Sequence, residues 1–231
     1  MSTRERAINL RDWEARAHQE GRLKLLVRPV KVNPAKARGG LILKGYLDEY
    51  GDSFGGLIVE DGKLWHRNTY ESPLPEHDHA YLMPCPFGQP GDRLRGREAF
   101  DVSPEPTGWE GHHWLTYVAD GDRIEVDCAE FYMGRLKPGK RYPSIHMPRW
   151  AVRNWLEITE VRCGRVREMS EEEAIAAGFA STVMMTEDHD DYYGSYAGEH
   201  LARQYDTDHG EGAWERDWVW MIGVKRIEVP S

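Results

Sequence analysis

Two Asp-Gly dipeptides, each lying between runs of strand-forming residues, most constrain how this chain can fold. In LIVEDGKLWHR the dipeptide is Asp61-Gly62, which suits the type I′ turn between two antiparallel strands. In the segment 107–132 it is Asp120-Gly121, with apolar residues alternating on both sides. Each pattern predicts a β-hairpin, and the apolar runs 155–169 and 217–229 predict two further strands.

The segment GDRLRGRE predicts a strand with one basic face. Arg93, Arg95 and Arg97 are two residues apart, and side chains at that spacing point to the same face of a strand. Arg95, at the centre of this face, adds a cation to it, and this favours contact with a phosphate. An ion pair of Arg97 with Asp92 or Glu98 explains the pattern equally well, and the sequence leaves both open.

Two helices have recognisable ends in the sequence. A first helix is expected from about Leu10 to Glu20, where Gly21 can supply the left-handed residue that ends it. A second, short helix follows Ser170, which forms a capping box with Glu173, and Gly178 ends it.

The stretch from Gly134 to Ile158, GRLKPGKRYPSIHMPRWAVRNWLEI, alternates aromatic, basic and hydroxyl residues. Nine Lys or Arg lie between Arg135 and Arg167 against two Glu, although the whole chain has 30 basic and 39 acidic residues. Basic side chains neutralise phosphates and aromatic rings stack on bases, so the stretch predicts an anionic partner such as nucleic acid. A solvated strand edge is the alternative.

Within this stretch Pro143 and Pro148 bracket SIHM, which favours an extended segment over a helix. Ser144 and His146 then share a face, and both are interpreted as hydrogen-bonding groups. Trp150 is either a stacking platform or a core residue, and its apolar neighbours favour the core.

Four blocks of the chain together resemble the ASCH-domain proteins encoded by tailed phages and prophages. They are YPSIHMPRWAVR, CPFGQPGDRLRGREAF before it, and MSEEEAIAAGF and WVWMIGVKRI after it. ASCH domains belong to the PUA-like superfamily of small β-barrels that bind RNA or modified bases. The resemblance implies an α+β fold: one PUA-like (ASCH) β-barrel domain over residues 1–231, with flanking helices and long loop insertions.

Two segments are interpreted as insertions into that domain. Residues 33–83 are rich in Gly and Pro and are expected to decorate the barrel. From Glu168 to Asp217 there are fourteen acidic and two basic residues, and residues 182–212 within this region are expected to be a mobile acidic insertion.

The resemblance also implies which residues would carry catalysis in the amidohydrolase branch of the family. Its motif reads GRKTxTRRxxK, where this chain has GRLKLLVRPVK. The catalytic Lys, the second Thr and a later Glu fall here on Leu23, Leu26 and Ala177, none of which can transfer a proton or act as a nucleophile. We therefore expect this chain to lack the hydrolysis of acetylated cytidine.

We predict a nucleic-acid-binding module that engages RNA, or a single-stranded or modified nucleotide, in a basic and aromatic cleft. A nucleoside- or RNA-directed hydrolase is the alternative, with His146 as general base, Lys24 as electrophile and Arg22 or Arg149 at the oxyanion. A third possibility is an acidic protein-binding or nucleic-acid-mimic phage protein. The predicted binding residues are Arg22, Lys24, Arg28, Lys31, Arg93, Arg95, Arg97, Arg141, Tyr142, Ser144, His146, Arg149 and Trp150.

No cofactor and no metal is expected. Cys85, Cys128 and Cys163 lie far apart without a CxxC pair, so they predict free thiols rather than disulfides or a zinc site. The sequence has no run of 18 apolar residues and no apolar core of a signal peptide near its first residues, which predicts a cytoplasmic protein of the bacterial host without a membrane partner.

Overall fold

The computed structural model describes residues 3–30, 56–60, 63–68, 79–82, 84–109, 111–127, 136–185 and 192–228. Those residues form a mixed α+β structure, as predicted. The strands are β1 (Glu5–Asn9), β2 (Leu25–Pro29), β3 (Gly56–Glu60), β4 (Lys63–Asn68), β5 (His79–Leu82), β6 (Arg93–Arg97), β7 (Phe100–Pro106), β8 (His112–Tyr117), β9 (Arg123–Asp127), β10 (Arg141–Tyr142), β11 (Asn154–Arg165), β12 (Thr182–Met185), β13 (Tyr192–Ser195) and β14 (Trp218–Arg226). The helices are α1 (Asp12–Gln19), α2 (Glu171–Ala176), α3 (Ala197–His209) and α4 (Ala213–Arg216).

The chain divides into two compact units. The first comprises Met1–Lys24, Gly91–Ile158 and Val224–Ser231, and the second comprises Leu25–Pro90 and Thr159–Gly223. Strands β11 and β14 contribute residues to both units. The organisation as a single ASCH domain stays a prediction.

A five-stranded sheet has the order β1-β6-β11-β14-β2. In the first unit β1 runs parallel to β6, with Glu5 opposite Arg93 and Asn9 opposite Arg97, and β6 is antiparallel to β11. In the second unit β14 is antiparallel to β2. The other sheets have the orders β10-β7-β8-β9, β3-β4-β5 and β12-β13, so the described strands form open sheets and no closed barrel.

Both predicted hairpins are confirmed. Strands β3 and β4 are antiparallel, with Glu60 opposite Lys63, while the predicted turn residues 61–62 lie outside the described residues. Strands β8 and β9 are joined through residues 118–122, where Gly121 has a φ of 83°. A β-carbon is strained at that backbone angle, which explains the glycine.

The helix signals are also confirmed. Helix α1 is followed by Gly21 at a φ of 74°, and Glu14 accepts a hydrogen bond from the backbone N–H of Arg11 at 2.9 Å. Helix α2 begins after the reciprocal bonds of Ser170 and Glu173, at 2.9 and 3.3 Å.

The expectation of a mobile acidic insertion is wrong for residues 197–209. These residues form α3, and its Leu201 and Tyr205 are each only 2% exposed. Tyr205 packs with Leu25 and Val27 of β2 and with Val219 of β14. Glu199 and Asp208 of α3 are exposed, whereas Asp206 accepts hydrogen bonds from the backbone N–H groups of Gly212 and Trp214. The acidic composition of the segment therefore hid an amphipathic helix.

The expectation of an extended SIHM segment is also wrong. Residues Ser144–His146 and Arg149–Ala151 form two 3₁₀ turns, each preceded by a proline. The carbonyl oxygens of Pro143 and Pro148 accept hydrogen bonds from His146 and Ala151 at 2.9 and 3.1 Å. Proline is well suited to this place, because a residue at the start of a helical turn needs no N–H donor.

Candidate nucleic-acid interface

The basic face of β6 is the structural centre of the candidate site. Leu94 and Gly96 are buried, whereas Arg93 is exposed and Arg95 and Arg97 are half-buried. The three arginines therefore share one face, as their spacing predicted. On the opposite face, a β-carbon on Gly96 would lie only 2.6 Å from Cδ1 of Leu10, which lies between β1 and α1.

The two 3₁₀ turns lie across the arginine face. The backbone carbonyl of Ile145 accepts a hydrogen bond from Arg97 Nη1 at 3.1 Å. Met147 and Trp155 belong to one buried cluster, and the guanidinium of Arg149 lies over the Trp155 ring at 5.7 Å. The core of the first unit therefore fixes the turn that carries Arg149 beside β6.

Glu5 of β1 is an acidic partner of Arg95 and Arg149 on this face, and no sequence pattern indicated it. Its carboxylate accepts two hydrogen bonds from Arg149, at 2.6 and 2.8 Å, and lies 3.8 Å from Arg95 Nη1. We call Glu5, Arg95, Arg97 and Arg149 the arginine surface. The short, polar strand ERAIN has one buried residue, Ile8, so alternation alone gave no signal for β1.

Positive charge exceeds negative charge on the arginine surface. Burial and the neighbouring Arg95 hold the pKa of Arg97 below its ordinary value. Among the described residues, the Nε atoms of Arg95 and Arg97 are buried and have no hydrogen-bond partner. Buried donors without acceptors cost free energy, and an anion that approaches these guanidinium groups offsets their mutual repulsion.

The ion pairs proposed for Arg97 are not formed. Asp92 instead accepts a hydrogen bond from the backbone N–H of Arg4 at 3.0 Å, and Glu98 pairs with Arg153 at 2.8 Å. Of the two explanations that the sequence left open, the ion pair is therefore wrong.

Apolar and aromatic side chains are exposed beside the arginine surface. Ile145 is 56% exposed, Trp150 is 44% exposed, and His146 is exposed between them in sequence. The assignment of Trp150 to the core is thus wrong, because the 3₁₀ turn directs Ala151 rather than Trp150 to the interior. A half-exposed indole next to arginines has the composition of a base-stacking platform.

Strand β10 of the same stretch consists of Arg141 and Tyr142. Arg141 makes two 2.8 Å hydrogen bonds to Asp101, and these hold the pKa of Asp101 below its ordinary value. The Tyr142 ring stacks on the buried Phe100 with ring centres 5.2 Å apart and meets the His146 ring edge-on. Tyr142 therefore supports His146 from the core.

Ser144 does not share a face with His146, contrary to the expectation from an extended segment. The two residues lie two positions apart in a 3₁₀ turn, where three residues complete a turn, so their side chains diverge. Ser144 is half-buried, and its carbonyl accepts a hydrogen bond from Met147 at 3.1 Å.

Of the other predicted cations, Arg22 and Lys24 belong to the first unit and Arg28 belongs to the second. Arg22 donates its backbone N–H to the carbonyl of Ala17 in α1, and its side chain pairs with Glu20. Arg28 is 8% exposed in the second unit and donates to the carbonyl of Val27. Lys24 is exposed before β2, and Lys31 lies outside the described residues.

The three positions aligned with the amidohydrolase catalytic residues are all buried. Leu23 is 4% exposed, and Leu26 and Ala177 are fully buried. Ala177 packs in a cluster with Leu25 and Val27, whereas Leu26 alternates to the other face of β2. The expectation that this chemistry is missing stays a prediction.

A buried ionic network fixes the entry of the chain into β11. Glu98 is fully buried and accepts hydrogen bonds from Arg153 at 2.8 and 3.0 Å and from Asn154 at 2.6 Å. Arg153 also bonds Asp120 and lies 3.8 Å over the Tyr117 ring. Although burial opposes it, the bonds to Glu98 and Asp120 hold the pKa of Arg153 above its ordinary value. Burial in turn raises the pKa of Tyr117 to about 12.

The described residues bring together no three His, Cys, Asp or Glu side chains that could hold a metal ion. Cys163 is a buried free thiol and Cys85 is half-buried, while Cys128 lies outside the described part of the chain. Burial raises the pKa of the Cys163 thiol to about 12. No described helix combines the length and apolar composition needed to cross a membrane.

Comparison with family models, with curated proteins and with solved structures finds no match for this chain. The similarity to ASCH-domain proteins therefore stays a prediction from the four sequence blocks.

Proposed function

We propose that this protein is a nucleic-acid-binding module and that the arginine surface receives a backbone phosphate of RNA or of a single-stranded or modified nucleotide. One observation carries the proposal: the guanidinium groups of Arg95 and Arg149 lie 3.8 and 2.6 Å from the Glu5 carboxylate, and Arg97 adds a third positive charge near Arg95. Ile145 and Trp150 are exposed in the two 3₁₀ turns beside them. Arginine forms paired hydrogen bonds with phosphate, and an exposed indole stacks on any base.

The resemblance to ASCH-domain proteins supports the same function. Two of its blocks supply β6 and the two 3₁₀ turns, so the part of the chain that resembles the family also carries the three arginines of the arginine surface. We infer a PUA-like domain of phage or prophage origin that acts in the bacterial cytoplasm.

Binding to short oligonucleotides tests the proposal. Fluorescence anisotropy is measured with labelled single-stranded RNA and DNA of about ten nucleotides, first at about 50 mM salt. We expect binding that weakens steeply as salt rises, because each phosphate contact releases condensed counterions. No binding at low salt would remove the proposal.

A matched pair of double variants locates the interface. Arg95→Gln/Arg97→Gln removes two positive charges from the arginine surface and is expected to abolish most of the binding. Arg123→Gln/Arg203→Gln removes the same charge from exposed positions on β9 and α3 and is expected to leave binding close to that of the unaltered protein. Equal loss in both would show that net charge alone governs the interaction.

A further inference from the structure

We propose that the arginine surface is specific for a terminal phosphate monoester, so that its ligand is a single strand with a phosphorylated end. This inference rests on the proposed nucleic-acid binding and narrows it to a class of ligand. It follows from the charge of the surface and from its partial enclosure.

The charge of the surface matches a dianion. Arg95, Arg97 and Arg149 carry three positive charges and Glu5 carries one negative charge, which leaves two positive charges. A phosphate monoester carries close to two negative charges at neutral pH, whereas an internal phosphodiester carries one. Arg93 is exposed and is screened by solvent, so it adds little to this balance.

The enclosure of the surface favours a chain end. The Arg95 side chain is 23% exposed and its Nε atom is buried, as is that of Arg97, so both guanidinium groups are open to solvent over only part of their area. The carbonyl of Ile145 accepts a hydrogen bond from Arg97, and the Glu5 carboxylate that Arg149 binds lies 3.8 Å from Arg95. Each of these contacts occupies part of a guanidinium group. An internal phosphate has a nucleotide on both sides and needs an open groove, whereas a terminal phosphate enters from one direction.

The flanking side chains fit the nucleotide that carries such a phosphate. Trp150 directly follows Arg149 in the second 3₁₀ turn, and its side chain is 44% exposed. An exposed indole one residue from a guanidinium that contacts the surface carboxylate is available to stack on the first base of a strand whose end phosphate the arginines hold.

Four forms of one single-stranded RNA of about ten nucleotides test the inference. The first form has hydroxyl groups at both ends, the second has a 5′-phosphate, and the third has a 3′-phosphate. The fourth has phosphates at both ends, each blocked as a methyl ester. We expect at least one phosphorylated form to bind about tenfold more tightly than the hydroxyl and methyl-ester forms, because one further negative charge acts at close range. An advantage at either end supports the inference.

Arg97→Gln and, separately, Arg149→Gln are expected to remove this advantage, whereas Arg123→Gln retains it. Thermal melting checks that each variant is folded, and the two surface variants lie on different elements, so a folding defect in one leaves the other informative. Equal affinity for all four forms would overturn the inference and leave the proposed nucleic-acid binding intact. If no form binds at low salt, both proposals fail.

Discussion

Trp150 contributes to binding rather than to folding if its exposed ring stacks on a base. The change Trp150→Ala is expected to weaken binding of single-stranded RNA by about 1–3 kcal/mol, which is roughly 5- to 150-fold. The melting temperature of the Trp150→Ala protein should differ little from that of the unaltered protein, because Trp150 is 44% exposed. Anisotropy and thermal melting measure the two effects.

Trp109 provides the matched control for this change. It is 73% exposed in the connection between β7 and β8, away from the two 3₁₀ turns in sequence. Trp109→Ala removes the same ring from another exposed position and should leave RNA binding unchanged. A Trp150→Ala protein that melts much earlier but binds normally would contradict the assigned role.

Glu5 competes with an anionic ligand for Arg149 and Arg95. Exposed ion pairs contribute up to about 1 kcal/mol, so Glu5→Gln is expected to strengthen binding of single-stranded RNA by up to about fivefold. Direct titration of the variant and the unaltered protein measures the change. Weaker binding by a folded Glu5→Gln protein would instead show that Glu5 holds Arg149 in its binding position.

Single residues show where sequence reasoning reached its limit. The spacing of Arg93, Arg95 and Arg97 was sufficient to predict their common face, because alternation is a property of any strand. Their partners were not predictable. Glu98 pairs with a residue 55 positions later, and local patterns contain no information about such separations.

At the scale of elements, the Glu98–Arg153 pair joins the end of β6 to the start of β11. Glu98→Ala leaves the positive charge of Arg153 without its main partner in a buried position, and we expect a loss of about 3–5 kcal/mol in the free energy of unfolding. Urea denaturation measures it. The control Glu199→Ala lies at an exposed position of α3 and should change stability by less than about 0.5 kcal/mol.

Helix α1 makes stability sensitive to mild acid through His18. His18 is only 1% exposed, and burial, followed by the nearby Arg226, lowers its pKa below the ordinary value for histidine. The unfolded chain therefore binds a proton more readily than the folded one. The contribution of His18 to the free energy of unfolding is expected to be fully present above about pH 6.5. It is lost as the pH falls from there through the lower pKa that His18 has in the folded state.

Denaturation as a function of pH checks this prediction. In His18→Gln the loss of stability between about pH 6.5 and 5 should be smaller than in the unaltered protein. Asp101, Asp120, Glu171 and Glu172 have lowered pKa values, so their contributions are lost only in stronger acid. An identical acid profile in the His18→Gln protein would contradict the role of His18.

The elements themselves differ in how well their sequences predicted them. The capping box of α2 and the Gly-containing turns were identified because their chemistry is local. Helix α3 was missed because its acidic composition masked the apolar spacing of Leu201 and Tyr205. The two 3₁₀ turns were missed because proline was read as excluding helical structure, although it is tolerated at the first position of a turn.

At the scale of the whole molecule, charge is distributed unevenly. The formal net charge is −9, yet the first unit carries a surface with an excess of guanidinium groups. The local surface rather than the net charge governs contact with a phosphate, because exposed charges are screened beyond about 10 Å. The sequence predicted an excess of local positive charge, but its set of binding residues included Arg22, which pairs with Glu20, and Arg28, which is buried in the second unit.

The salt dependence of RNA binding tests the central claim most directly. For single strands, the logarithm of the binding constant falls with the logarithm of salt concentration by about 0.7 per neutralised phosphate. If Arg95 and Arg97 contact phosphate, the slope for Arg95→Gln/Arg97→Gln should be shallower by up to about 1.4 than that of the unaltered protein, and the slope for Arg123→Gln/Arg203→Gln should not change. Equal slopes in all three proteins would contradict the account.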